Sequence, residues 1–155
     1  MHIQFAGDFS VKKNPEDVYN FLTDPERFCP VLPDFKGMEK KDDTHFDVTL
    51  SVGISHIRGD AKIKMELSEA QSPVRAVYVG KGDVVGGTAT ITAGFDLEPQ
   101  ADTTKVLWKG EAQIVGRVAS LAGGLLEPLA KKNLMKLIEG LQAALADEPK
   151  QAVPA

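Results

Sequence analysis

Residues 80–87 read GKGDVVGG, and residues 88–98 read TATITAGFDLE. The first stretch has the glycine content of a phosphate-binding loop, and the second decides against one. A P-loop needs GxxxxGK[ST], with the lysine late and a hydroxyl residue behind it for magnesium. Here Lys81 follows the first glycine, and Asp83 follows Gly82. A dinucleotide loop needs G-x-G-x-x-G opening a helix. Here the glycines fall at Gly80, Gly82 and Gly86, and the residues after them alternate: Ala89, Ile91, Ala93, Phe95 and Leu97 on one side, Thr88, Thr90, Thr92 and Asp96 on the other. A period of two with β-branched residues is a strand. A strand offers no helix N-terminus to an anion. The glycines therefore form a turn or bulge joining two strands.

The alternation extends both ways. Upstream, residues 36–42 form a weak, charged strand, and residues 44–54 alternate Phe46, Val48, Leu50, Val52 and Ile54. Residues 57–67 set Ile57, Gly59, Ala61, Ile63, Met65 and Leu67 against Arg58, Asp60, Lys62, Lys64 and Glu66, and residues 74–82 lead into the glycines. Downstream, residues 103–114 set Val106, Trp108, Ala112 and Ile114 against Lys105, Lys109, Glu111 and Gln113. Short links and clean alternation predict an antiparallel sheet with one wet and one dry face.

The chain's ends supply the rest. Residues 3–12 predict a strand with Ile3, Phe5, Gly7, Phe9 and Val11 on one face. Asn14, Pro15, Glu16 and Asp17 then supply a cap, a first-turn proline and acids at a helix start. Pro25 ends that helix or opens a second short one, and CPVLPDF at 29–35 reads as an irregular lid. From Leu125 to Leu145 the apolar period changes to three and four, a long amphipathic helix with Lys131, Lys132 and Lys136 on its wet side. The stripe of Val118, Leu121, Ala122 and Leu125 is rotated from that of Ala130, Leu134, Leu137 and Leu141. Gly123, Gly124 and Pro128 lie between, so a bend, or a short helix before the long one, is expected.

These elements predict an α+β fold: a curved antiparallel seven-stranded sheet wrapped around a long C-terminal helix, with short helices after strand 1. The dry face and the dry stripe must cover each other. Small inward residues such as Gly59, Ala61, Ala76, Ala89, Ala93, Gly110 and Ala112 leave space between them. Unfilled space costs about 24 cal/mol per Å3, which favours an apolar guest. The expected lining from the first strands is Leu50, Val52, Ile63 and Met65. Val77, Val79, Ile91, Phe95 and Trp108 continue it; in residues 74–82 the opposite phase would turn Ala76, Tyr78 and Gly80 inward instead. The lid adds Phe28 and Leu32, and the helix Leu129, Leu134 and Leu137. The indole N–H of Trp108 is one of few polar handles, and Tyr78 offers another.

The bulk numbers exclude several classes. At 155 residues, 43% hydrophobic and 26% charged, the chain suits one soluble domain over residues 1–146, with residues 147–155, DEPKQAVPA, a disordered tail. A net charge of -4 argues against nucleic acid. The lone cysteine, Cys29, suits a reducing compartment and the role of a small buried hydrophobe. With no signal-peptide pattern and no membrane-length apolar run, the expected location is the cytoplasm. No histidine pair among His2, His45 and His56 has metal-ligand spacing, so no metal or cofactor is expected. No G-x-S-x-G elbow appears, and Ser55 and His56 are adjacent and face opposite ways. Asp42, Asp43, Asp60 and Arg58 read as solvated surface.

Three stretches carry a family resemblance: GDFSVKKNPEDVYNFLTDPERFCPVLPDF at 7–35, GKGDVVGGTATI at 80–91, and TTKVLWKGEAQIVGRVASLAGGLLEPLAKKNL at 103–134. Over residues 3–145 the chain resembles the carbon monoxide dehydrogenase CoxG family, within the START-like helix-grip (SRPBCC) superfamily. Leu22, Asp24 and Pro25 match that family's L-x-D-P, while Pro33-Asp34 stands where its members have Pro-Gly. The resemblance implies a binding protein rather than a catalyst, holding a quinone or a lipid between sheet and helix. It also implies service to a molybdenum-type carbon monoxide dehydrogenase or related hydroxylase. Many members carry a C-terminal extension to the membrane; this chain runs few residues past Leu145, so membrane contact is expected to be at most peripheral. A polyketide cyclase-type enzyme using the same cavity and an adaptor with a filled core are the alternatives.

Overall fold

A computed structural model describes residues 1–54, 57–84 and 86–147. The Ser55-His56 pair and the tail at 148–155 lie outside the described residues. The chain order is β1 (His2–Val11), α1 (Pro15–Leu22), α2 (Pro25–Phe28), a 3-10 turn (Cys29–Val31), β2 (Phe35–Lys40), β3 (His45–Ile54), β4 (Ile57–Gln71), β5 (Arg75–Val84), β6 (Gly87–Pro99), β7 (Thr104–Gly116) and α3 (Arg117–Asp147). The strands form one antiparallel sheet in the order β1-β7-β6-β5-β4-β3-β2. Six consecutive strands are therefore a meander, and β1 returns to pair with the last of them.

The glycine-rich stretch is a hairpin. Val84 pairs with Gly87, which leaves a two-residue turn with Gly86 at φ 75°, a conformation glycine adopts without steric cost. Gly80 and Gly82 lie inside β5 rather than in the loop. A Cβ on Gly82 would collide with the backbone carbonyl of Lys62 on β4, so close strand approach is what demands glycine there. β4 runs to Gln71, further than its alternation suggests, because its register against β5 shifts between Leu67 and Glu69. That bulge admits one extra residue and bends the strand.

Before α1, the Asn14 side chain accepts from the Asp17 amide at 2.8 Å, satisfying one donor of the first turn. Val18, Tyr19, Phe21 and Leu22 on its buried side pack with Phe9, Leu97, Val106 and Leu145. Asp24 caps α2 in the same way, through the Glu26 amide at 3.1 Å. α3 runs unbroken from Arg117 to Asp147 with Pro128 inside it, so there is no separate short helix. The rotated stripe serves two surfaces. Val118 and Leu126 are buried near its start, where Leu126 meets Ile3 and is flanked by Phe5, Val52, Ile114 and Leu129. The later stripe, with Ile138, Leu141 and Leu145, meets the α1 cluster. Leu125, which helical spacing places on the stripe, is 52% exposed.

Where the resembling family has Pro-Gly, Asp34 sits at φ 59°. Its carbonyl accepts the Ser51 amide at 2.8 Å, which fixes the turn into β2. A left-handed L-residue is strained by roughly 1–2 kcal/mol, less for aspartate, and glycine removes the strain at some entropic cost. Asp34→Gly is therefore expected to raise unfolding stability by up to about 1 kcal/mol, measured by urea titration; a loss of stability would show that the aspartate side chain holds the turn.

Candidate functional site

A cavity of about 300 Å3 lies between the concave face of the sheet and the second half of α3. Leu134, Leu137, Ile138 and Leu141 form its helix side. Opposite them stand Phe46, Val48 and Leu50 of β3, Ile63 and Met65 of β4, and Tyr78 of β5. β6 contributes Ile91, Ala93 and Phe95, and β7 contributes Val106, Trp108 and Gly110. Phe9 and Leu22 close the α1 end, and Phe28 and Leu32 close the lid end. The lid is held in two ways. Phe28 packs edge-on with Phe46 and tilted on Tyr78, with centroids 5.9 and 5.7 Å apart. Val31 packs against Gly140 of α3, where an added Cβ would come within 2.7 Å of it.

The wall is almost wholly apolar. Tyr78 is committed: its hydroxyl donates to the Leu22 carbonyl at 2.9 Å, and burial pushes its pKa up. It therefore ties β5 to α1 and does not serve as a free handle. Trp108 stands opposite Gly7 on β1 and Phe95 on β6. Its benzo edge lies on Gly7, where a Cβ would come within 2.7 Å of Cζ2. Its Nε1 is buried and has no hydrogen-bond partner. Of the lining residues only Tyr78 and Lys109 carry titratable side chains, and Lys109 is exposed. The described lining residues include no carboxylate and no imidazole, and such a wall suits an apolar molecule.

Eleven of the fifteen residues expected from the sequence border the cavity: Phe28, Leu32, Leu50, Ile63, Met65, Tyr78, Ile91, Phe95, Trp108, Leu134 and Leu137. Four do not. Val77 and Val79 belong to the outer face of β5, opposite Gly94 and Thr92. Ala76, Tyr78 and Gly80 turn inward and are buried. The reason is steric. Gly80 leaves room for the Met65 side chain, which a Cβ there would strike, while Val77 covers Gly94 from outside with its Cγ2 3.2 Å from where a Cβ would stand. Val52 and Leu129 face inward but pack in the Ile3–Leu126 cluster beyond the cavity. Phe9, Leu22, Phe46, Val48, Val106, Ile138 and Leu141 also line the cavity, with Ala93, Gly94, Lys109 and Gly110; the sequence reading leaves the large apolar ones out of the expected lining, although the same alternation and helix spacing carry them.

The cysteine and the histidines stand apart. Cys29, the first residue of the lid, is fully buried, and burial, with Asp24 nearby, pushes its thiol up to about 12. His45 is exposed, 2.9 Å from Asp42 and 3.7 Å from Glu66. His2 is 3.2 Å from Glu111 at the surface. Among the described residues no group of three His, Cys, Asp or Glu is placed to hold a metal ion.

A family model, that of the carbon monoxide dehydrogenase component CoxG, matches residues 7–146. No curated protein matches the chain. Among solved structures, a conserved protein from Geobacillus kaustophilus is similar at 20% identity and TM-score 0.81, covering 94% of this chain and 95% of that one. A START superfamily protein from Mycobacterium smegmatis is similar at 15% identity and TM-score 0.67, covering 94% and 97%. Zhui aromatase/cyclase from a Streptomyces species is similar at 12% identity and TM-score 0.72, covering 100% of both chains. These likenesses establish a shared START-like helix-grip fold.

Two outcomes follow from this geometry. A Cβ on Gly110 would meet nothing within 4 Å, so Gly110→Val adds its side chain to the cavity. It is expected to hold or raise stability by about 0.5–1 kcal/mol and to weaken binding of the apolar fluorophore N-phenylnaphthylamine about tenfold or more. Unchanged dye affinity would mean that the dye binds elsewhere. Cys29 is expected to resist iodoacetamide at about pH 9 in the native protein and to react at once in denaturant. Its raised pKa also means that stability falls as pH rises above the ordinary thiol range, because only the unfolded chain ionises there.

Proposed function

The chain belongs to the carbon monoxide dehydrogenase CoxG family, and from that premise we propose that it is a non-catalytic carrier holding one small apolar molecule, quinone- or lipid-like, between its sheet and α3. The observation that carries this is the apolar cavity of about 300 Å3 beneath the helix. A dry cavity of about 150 Å3 accepts a benzene, so this one suits a substituted ring or a comparable length of chain. Each methylene buried there contributes about 0.8 kcal/mol, so affinity needs few polar contacts. In this proposal it serves a molybdenum-type carbon monoxide dehydrogenase or related hydroxylase, a reading that the family supports: an enzyme that hands electrons to a poorly soluble acceptor gains from a protein that shelters it. Among the described residues no helix is long and apolar enough to cross a membrane, and membrane contact in this scheme is peripheral.

The likeness to an aromatase/cyclase favours a second reading, catalysis in the same cavity. The absence of a carboxylate or histidine from the lining residues weighs against it.

Trp108 is the chain's one tryptophan and borders the cavity. Menaquinone analogues are expected to quench its fluorescence saturably and to raise the melting temperature. Native mass spectrometry of freshly purified protein is expected to retain an apolar molecule. No quenching and no thermal shift with any quinone or lipid would overturn the carrier reading.

A further inference from the structure

β1 lies at one end of the sheet and pairs only with β7. Just before it, Met1 and Ile114 exchange both backbone bonds: the Met1 amine donates to the Ile114 carbonyl at 2.7 Å, and the Ile114 amide donates to the Met1 carbonyl at 2.8 Å. In an antiparallel ladder such pairs recur at every second residue. The register runs unbroken from His2–Gln113 to Val11–Thr104, so Ile3, Phe5, Gly7, Phe9 and Val11 commit their N–H and C=O groups to β7. His2, Gln4, Ala6, Asp8 and Ser10 turn theirs to the open edge, and all five residues are exposed. Among the described residues one of these edge groups has a partner: the Ser10 carbonyl accepts from Nε2 of Gln142 at 3.4 Å.

The two ends of the sheet differ. Native sheets blunt a free edge with short strands, lysines, prolines or bulges. β2, at the other end, is six residues long, carries Lys36 and Lys40, and shifts register between Phe35 and Gly37. β1 is ten residues long, with no lysine, no proline and no shift of register. An edge of that length left open is a template for a further strand.

A second copy of β1 fits it. Only even-numbered residues face the edge, so antiparallel pairing of two copies sets even residue on even residue. With Ala6 on the two-fold axis, Ala6 meets Ala6, Gln4 meets Asp8 and His2 meets Ser10. No like charges stand opposite each other, and an amide faces a carboxylate, the kind of cross-strand pair that stabilises a ladder. The arriving strand is already extended and braced by its own β7, so pairing orders little new chain.

We infer that β1 pairs antiparallel with β1 of a second copy of this chain, Ala6 against Ala6, so that one sheet runs through both molecules. The contact is isologous, the same residues serving on each side. It uses edge backbone and leaves the inward Phe9 at the cavity wall, so it stands apart from the carrier reading.

Sedimentation velocity of the full chain from micromolar to millimolar protein is expected to show a dimer forming with concentration. Hydrogen exchange at the Gln4, Ala6 and Asp8 amides is expected to slow in step. Ala6→Pro removes an edge N–H and no bond to β7, a position where an edge strand accepts proline. It is expected to fold and to weaken the dimer about tenfold or more. Ala6→Cys is expected to crosslink two copies under mild oxidation, while the wild type, whose lone Cys29 is buried, does not. A monomer at every concentration, a dimer that Ala6→Pro leaves unchanged, or an Ala6→Cys protein that stays uncrosslinked would overturn the inference. Should Ala6→Pro fail to fold, Ala6→Lys, which sets like charges together at the axis, takes its place in the same measurement.

Discussion

Ile3 on the edge strand β1 and Val52 on β3, five strands away in the sheet order, pack into the same cluster beneath Leu126 of α3. Those contacts require the sheet to coil until nearly opposite edges reach one helix, and the enclosed middle follows from them. The α1 end is filled by Phe9, Val18, Phe21 and Val106, and the β3–β5 side by Cys29, Phe46, Ile63 and Tyr78. The cavity is bordered by members of both clusters and by none of the Ile3–Leu126 group. It lies between the two clusters, which Phe28 and Leu67 join. Side chains that border open space lose the packing contacts a filled core would give them. A guest that restores those contacts is favoured for the same reason.

The gap persists because side-chain sizes are sorted rather than interleaved. A packed core sets large residues against small ones so that the layers interdigitate. Here Ala93 and Gly110 are antiparallel partners on β6 and β7, with Phe5 as Gly110's other neighbour. A Cβ on Gly110 would meet nothing within 4 Å, so no side chain covers the floor there. Where glycine has a partner the outcome differs: Gly7 is covered by the Trp108 ring and Gly80 by Met65. Glycine therefore has two roles on one concave face, as a seat for a neighbour's large side chain and as open floor.

Strand number, order of elements and the long helix were legible because alternation and helical spacing survive anywhere one face is dry. The hairpin at GKGDVVGG was legible because the strand after it rules out a phosphate loop. The phase of β5 was not. Its outer face carries Val77 and Val79 and its inner face Ala76, Tyr78 and Gly80, so hydrophobicity points the wrong way; Gly80 is bare because Met65 comes over from β4. Contacts between strands decide such cases, and one strand's pattern does not hold them. Val52 and Leu129 show a related limit: inward direction was legible, but their position along the coil, past the cavity's end, depends on how far the sheet closes. The bulge at Leu67–Glu69 left no trace in the alternation before it.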